Sequence, residues 1–210
     1  MTPLAGDGDG ERGSGPDISA SGRADVSRLT VQYPGGFIAR YRWVGTGHAA
    51  DLFEVSEFSG RLADHGPQVD PQPDRLCRAE LRVEGPGGEW TTRFASVIYD
   101  EPQGVFWDTY SLLLVKYGFV LYALDARSGA LTWSQASGTP TLAVLASSRL
   151  DHVVLQTEVE TLALRSDGTV AWRAAHSEVI IGAQLIAGRL DLTTYTGTHL
   201  YLDAASGRAV

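Results

Sequence analysis

The sequence is poor in cysteine and in lysine. A single cysteine, Cys77, among 210 residues leaves no pair for an intrachain disulfide and no cysteine-based metal site. A fold stapled by disulfides is therefore excluded, and the lone thiol favours a reducing compartment. Lys116 is the one lysine, so arginine supplies nearly all of the 17 basic side chains.

Clustered positive charge and long apolar runs are also missing. The formal net charge is −8 and no stretch collects basic residues, whereas a nucleic-acid partner needs a positive face. No run approaches the roughly 18 apolar residues of a membrane-spanning helix, and the N-terminus has neither region of a secretory signal. We therefore expect a cytoplasmic protein with no nucleic-acid or membrane partner.

The N-terminal half divides into two parts by composition. Residues 1–27 are rich in Gly, Asp, Ser and Pro, bury little apolar surface, and predict a disordered leader. Residues 28–103 predict an N-terminal β-meander, or one or two degenerate repeat units, with a strand expected at 52–58. Near the end of this part, 76–84 and 89–99 predict a hairpin with a four-residue connection.

The C-terminal half repeats itself. Gly129, Gly168 and Gly207 follow one another at intervals of 39 residues, and Trp133 and Trp172 come four residues after the first two. A fixed period near 40 residues, with a turn and a tryptophan in each unit, is typical of β-propeller blades. The repeat therefore predicts an all-β fold.

Each repeat contains a tight turn before its last strand. In Asp125-Ala-Arg-Ser-Gly129 the aspartate can bond the turn backbone and the glycine supplies a positive φ. Asp203 holds the same position in the third copy, and Arg165 replaces it in the second. Trp133 and Trp172 then fall on the outer strand, where we expect them to wedge between neighbouring blades.

Residues 104–210 divide into three clear units of four short strands. In the first unit the strands are expected at 105–108, 111–116, 120–125 and 130–134. The stretch 112–115 is apolar throughout, as expected of a strand buried on both faces. With the degenerate units before it, the chain has up to five blades in a small or incomplete ring.

The segment from Leu121 to Trp133, LYALDARSGALTW, resembles the blade repeat of quinoprotein-type (PQQ-like) β-propellers, roughly LYALDAxTGxxxW. The resemblance covers about 104–210. It implies the propeller fold, in a family that includes eight-bladed quinone- and calcium-dependent dehydrogenases as well as scaffolds of membrane-protein assembly. This chain lacks the vicinal cysteine pair of several such dehydrogenases. The resemblance therefore implies repeat architecture without quinone chemistry, and we expect no cofactor.

The function that the sequence favours is a non-catalytic binding or scaffold module that presents one propeller face to a protein partner. Trp107, Tyr110 and Tyr117 are the candidate binding surface, because aromatic side chains dominate protein-binding hot spots. The same three rings could instead pack in the core.

Two alternatives stay open. Loops at the propeller channel could carry a hydrolase or lyase, with Asp151-His152 or Asp100-Glu101 and Asp108 as acids and bases, or they could hold a small ligand without turnover. No Gly-x-Ser-x-Gly elbow accompanies the first pair. The histidines also lack metal-ligand spacing, so no metal site is expected.

Overall fold

The computed structural model of the protein describes residues 26–48 and 75–210. These residues form strands joined by short turns, two of them 3₁₀ turns, and contain no α-helix. Within them no helix has the length and apolar character to cross a membrane. The predicted leader before residue 26 and the strand expected at 52–58 lie outside the described residues. Fifteen strands follow in chain order: β1 Ser27–Tyr33, β2 Phe37–Val44, β3 Cys77–Gly85, β4 Gly88–Ser96, β5 Gln103–Trp107, β6 Leu112–Tyr117, β7 Val120–Asp125, β8 Leu131–Ala136, β9 Thr141–Leu145, β10 Val153–Thr157, β11 Glu160–Leu164, β12 Val170–Ala175, β13 Ile180–Ile186, β14 Arg189–Thr194 and β15 His199–Asp203.

The strands form four antiparallel sheets, each a meander of strands consecutive along the chain. The first sheet is β1-β2-β3-β4, the second β5-β6-β7-β8, the third β9-β10-β11-β12 and the fourth β13-β14-β15. An isolated bridge between Leu202 and Ala209 begins a further strand beside β15. The predicted all-β fold of four-stranded, propeller-type sheets is confirmed.

The sheets of the described residues do not close into a ring. These residues contain four sheets, within the upper limit of five expected from the sequence.

The hairpin between β3 and β4 has a shorter turn than predicted. Gly85 and Gly88 pair with each other as the last rung of the ladder, which leaves only Pro86 and Gly87 between them.

Apolar layers lie between successive sheets because strand side chains alternate between the two faces of a sheet. All six residues of β6 are buried. Leu113 and Val115 pack in the layer shared with the first sheet, and Leu112 and Leu114 pack in the layer shared with the third. A third layer, with Leu190 and Leu192 of β14, joins the third and fourth sheets.

The outward face of the fourth sheet is polar, and that of the first sheet is mixed. On the first sheet, arginines of β2 and β3 form ion pairs with acids of β3 and β4: Arg40–Glu84, Arg42–Glu80 and Arg82–Glu89. Val44 on the same face is 2% exposed and packs against Val26. On the fourth sheet, His199 bonds Asp191 at 2.7 Å and the guanidinium of Arg189 lies 4.4 Å from the ring centre of Tyr201. Among the described residues, the apolar layers therefore end at the fourth sheet.

Candidate functional site

The Asp-x-x-Ser-Gly turns of the second and fourth sheets have the same hydrogen bonds. One carboxylate oxygen of Asp125 accepts from the backbone N–H of Ser128 at 2.8 Å and from its hydroxyl at 2.7 Å. Asp203 accepts the same two bonds from Ser206, at 2.9 and 2.6 Å. The bond from the serine hydroxyl is the main reason that the pKa of each aspartate lies below its usual value.

The third sheet builds its turn differently, because Arg165 stands where the other copies have aspartate. The acceptor there is Asp167, whose carboxylate bonds the backbone N–H of Thr169 at 2.9 Å and its hydroxyl at 2.6 Å. The N–H of Gly168 bonds the carbonyl of Arg165 at 2.9 Å. This turn is one residue shorter than those of the second and fourth sheets, and its Gly168 still occupies the position equivalent to Gly129 and Gly207.

Gly129, Gly168 and Gly207 all have positive φ, at 73°, 82° and 70°. Each lies beneath a tryptophan of the preceding sheet, so that a side chain at the glycine would collide with the indole. A Cβ at Gly168 would lie 2.9 Å from Cδ2 of Trp133, and Trp172 covers Gly207 in the same way. Each of these tryptophans thus lies between two sheets, with its ring partly exposed.

The first sheet takes part in the same contact through Trp90, which the sequence did not single out. A Cβ at Gly129 would lie 2.5 Å from Cε3 of Trp90. The indole N–H of Trp90 donates to the carbonyl of Ala126 in that turn at 2.9 Å. Trp90 lies 43 residues before Trp133, close to the repeat period, and this interval was the available signal.

The third contact of the series differs in its hydrogen bond. The indole N–H of Trp133 donates to the carbonyl of Ser166 at 2.7 Å, whereas that of Trp172 is buried without an acceptor among the described residues. The carbonyl of Ala204, which corresponds to that of Ala126, bonds Nε2 of His152 at 2.8 Å instead. The His152 ring stands edge-on to Trp172, with centroids 5.9 Å apart.

Only one of the three candidate surface aromatics is exposed. Trp107 is 6% exposed and Tyr117 is 1% exposed, so both pack in the core, which is the alternative that the sequence left open for these rings. Tyr117 is the last residue of β6 and packs with Phe94 between the first two sheets. Burial raises the pKa of its phenol far above the usual value.

Tyr110 is 44% exposed. It belongs to the short 3₁₀ turn after β5, and its ring meets that of Trp107 edge-on with centroids 4.6 Å apart. Beside the pair is an open cleft of about 290 Å³ between this turn and the β9–β10 connection. Its walls are partly apolar, from Val105 and Leu150, and partly polar, from Asp108 and Ser147.

Four of the residues considered for catalysis have structural partners, whereas the fifth, Glu101, is exposed. Both ring nitrogens of buried His152 are occupied, Nδ1 by Asp151 at 2.8 Å and Nε2 by a backbone carbonyl. Asp100 bonds Nζ of Lys116 at 2.8 Å and the N–H of Gly118 at 2.7 Å, and Asp108 caps the N–H of Thr109 at 2.7 Å. In residues 26–48 and 75–210 no three potential metal ligands come together.

The connections between strands form two faces of different character. The turn face consists of the turns between the first and second and between the third and fourth strands of the sheets. The linker face consists of the chain links between sheets and the turns between the second and third strands. Its described residues are 45–48, 75–76, 97–102, 118–119, 137–140, 158–159, 176–179 and 195–198. The Asp-Ser-Gly turns and the Tyr110 cleft belong to the turn face.

No family model and no curated protein matches the chain. The chain is similar to several solved structures. A europium-containing methanol dehydrogenase matches at 15% identity over 48% of this chain and 22% of that one, with a TM-score of 0.41. BamB from Moraxella catarrhalis matches at 16% identity over 89% of this chain and 59% of that one, with a TM-score of 0.48. The Pan2 WD40 domain of Neurospora crassa matches at 16% identity over 64% of this chain and 45% of that one, with a TM-score of 0.45.

In each case the chain spans less than two thirds of the other protein. The first two neighbours agree with the resemblance to PQQ-like propellers that the repeat suggested, at low identity and over part of the chain.

Proposed function

We propose that this protein is a non-catalytic binding module that holds a protein partner on its turn face, at the cleft beside Tyr110. The observation that carries the proposal is an exposed tyrosine ring fixed against a buried tryptophan at the edge of a cleft. A large ring that is already ordered offers contact area at low entropic cost. Tyrosine and tryptophan are also the side chains that most often dominate binding energy.

The walls of the cleft suit a peptide. Apolar lining residues such as Val105 and Leu150 can contact an apolar side chain, and Asp108, Ser147 and Ser148 can hydrogen-bond the main chain of a bound segment. Protein interfaces usually combine apolar and polar contacts in this way.

The cleft is held by backbone hydrogen bonds on both sides. The N–H of Ser111 bonds the carbonyl of Asp108 at 3.0 Å, and the N–H of Leu150 bonds that of Ser147 at 3.0 Å. Both turns are also tied to β-sheets of the stack. A partner would therefore meet a site that is already formed, which favours affinity.

The proposal is tested by site-specific photo-crosslinking in the native host, with a benzophenone amino acid in place of Tyr110. Leu131 is the control position, because it is similarly exposed and lies on the outer strand of the same sheet. We expect a discrete protein adduct from position 110 and none from position 131. Equal, diffuse labelling from both positions would contradict a docking site at the cleft.

A further inference from the structure

His152 immediately precedes β10 and joins the third sheet to the fourth. The residue is 3% exposed. Its Nδ1 lies 2.8 Å from a carboxylate oxygen of Asp151, and its Nε2 lies 2.8 Å from the carbonyl oxygen of Ala204 in the fourth sheet. An ionised carboxylate and a carbonyl can only accept hydrogen bonds. Both ring nitrogens of His152 therefore face acceptors.

The two acceptors require a charged ring. A neutral imidazole has one N–H and can satisfy only one of them, whereas the imidazolium donates from both nitrogens. The hydrogen bond from His152 is also the main reason that the pKa of Asp151 lies below its usual value, so this acceptor stays ionised. The geometry thus fits a positive charge on His152 in the folded protein.

Loss of one ring proton would break the bond to Asp151 and keep the bond to Ala204. Ala204 is fully buried, and a buried carbonyl that loses its donor is destabilising. The side chain of Asp151 is 85% exposed, so water can replace the ring as its donor, and an exposed ion pair contributes little to stability. The neutral ring therefore keeps its proton on Nε2 and releases Asp151.

Other charged groups lie in the three turns around the ring. Among the described residues they are two aspartates and three arginines: Asp167, Asp203, Arg149, Arg165 and Arg208. Each of these aspartates bonds a hydroxyl of its own turn, and Arg165 favours the ionised form of Asp151. Since both ring nitrogens are already bonded, Asp151 is the charged group in direct contact with His152.

Asp151 belongs to the connection between β9 and β10, which forms one wall of the cleft beside Tyr110. Leu150, the residue before it, lines the cleft together with Ser147. The N–H of Leu150 bonds the carbonyl of Ser147 at 3.0 Å, and the N–H of Arg149 bonds the hydroxyl of Ser147 at 3.3 Å. These two bonds shape the first part of the connection. The bond from the His152 ring to Asp151 holds its other end against the sheet.

We propose that His152 and Asp151 form a proton-operated latch on the β9–β10 connection. The imidazolium holds Asp151 at low pH, and loss of the Nδ1 proton releases it as the pH rises. Release loosens the cleft wall at Leu150, while the fourth sheet stays attached through Ala204. The latch works without any partner, and only its use in regulating binding at the cleft rests on the proposed function.

The test is an NMR titration of the full chain labelled with ¹⁵N, which reports the protonation of each imidazole nitrogen and the fast motion of each backbone amide. Histidine ordinarily changes its charge between about pH 5 and about pH 8, so the titration runs from about pH 5 to about pH 9. We expect His152 to carry protons on both nitrogens at the acidic end and on Nε2 alone at the basic end. The backbone amides of Leu150 and Asp151 should become more mobile over the same step.

Two variants separate the latch from other effects of pH. Asp151→Asn removes the ionised acceptor at an exposed position, so His152 should lose its Nδ1 proton at a lower pH and the mobility of Leu150 should no longer follow the ring. Asp167→Asn is the matched control, because Asp167 is also an exposed aspartate in a turn of the third sheet but bonds a threonine. It should leave the titration of His152 unchanged.

Three outcomes would overturn the inference. The first is a His152 ring that keeps the same number of protons over the whole range, and the second is a neutral ring with its proton on Nδ1. The third is a change in the mobility of Leu150 with pH that is equally large in Asp151→Asn. Failure of the crosslinking at Tyr110 would refute the proposed function and leave the latch intact, so the two results are distinguishable.

Discussion

Each turn glycine of the repeat meets two demands at once. It takes a positive φ that other residues rarely adopt, and it leaves room for the indole of the preceding sheet. The positive φ is a local property, and the Asp-x-x-Ser-Gly pattern predicts it from the sequence. The pattern does not predict the close approach of the indole, because the indole comes from a residue about 40 positions away, in another sheet.

Comparing Gly168→Ala with a control variant should separate the cost of the positive φ from the cost of the collision with the Trp133 indole. Left-handed backbone strain costs about 1–2 kcal/mol for alanine, and the collision with Trp133 should add about 1–3 kcal/mol. Gly188→Ala is the control, because Gly188 has the same φ of 82° and nothing within 4 Å of its added Cβ. Chemical denaturation of both variants measures the difference, and equal losses of stability would contradict the Trp133 contact.

The exposure of single aromatic residues was the weakest part of the sequence-based expectation. Tyr117 ends a strand that is buried on both faces, and Trp107 turns inward at the end of β5. Tyr110, three residues later, is exposed. Composition does not distinguish these rings, since their burial depends on which sheet covers them.

At the scale of elements, the strands of the second to fourth sheets could be located within a few residues, because alternation and turn residues mark them. The first sheet could be predicted only as a meander or degenerate units. Its last turn is two residues long and lacks the Asp-Ser-Gly pattern, so Trp90 was not aligned with Trp133 and Trp172.

The indole hydrogen bonds predict unequal effects for two equivalent substitutions. Trp133→Phe removes a bond to Ser166 and leaves that carbonyl without the indole donor, which should cost about 1 kcal/mol beyond the packing change. Trp172→Phe removes an indole N–H that has no acceptor among the described residues, so its cost should be smaller. Thermal unfolding of the two variants checks the order, and a larger loss for Trp172→Phe would refute this explanation.

At the scale of the whole molecule, the outward face of the fourth sheet explains why the apolar layers stop there. Positions of the second sheet that face the third are Leu112, Leu114, Leu121 and Ala123, whereas the corresponding positions of the fourth sheet are Arg189, Asp191, His199 and Tyr201. Terminal units of stacked repeats usually carry such a polar outer face. The repeat period predicted stacking, but it could not predict that the stack stays open.

Replacing Arg189, Asp191 and His199 by leucine and Tyr201 by alanine should make the fourth sheet resemble the second on its outward face. We expect concentration-dependent association of this variant, because burying an exposed apolar sheet face against a second copy is favourable. Light scattering coupled to size exclusion measures the change relative to the unaltered chain. A variant that stays in the original oligomeric state at all concentrations would contradict the capping role.

The proposed binding cleft also belongs to this scale. An exposed tyrosine in a loop could be suspected from the sequence, but the cleft beside Tyr110 depends on a turn of the next sheet, about 40 residues away.

The repeated contact between a tryptophan of one sheet and a turn glycine of the next is tested most directly by a double-mutant cycle between Trp90 and Gly129, where the first sheet meets the second. Gly129→Ala should cost about 2–5 kcal/mol with Trp90 present, but only the backbone strain of about 1–2 kcal/mol in the Trp90→Ala background, where the colliding indole is gone. The coupling free energy should therefore be at least 1 kcal/mol, as expected of residues in contact. Strictly additive losses of unfolding free energy would show that Trp90 of the first sheet does not pack against Gly129 of the second.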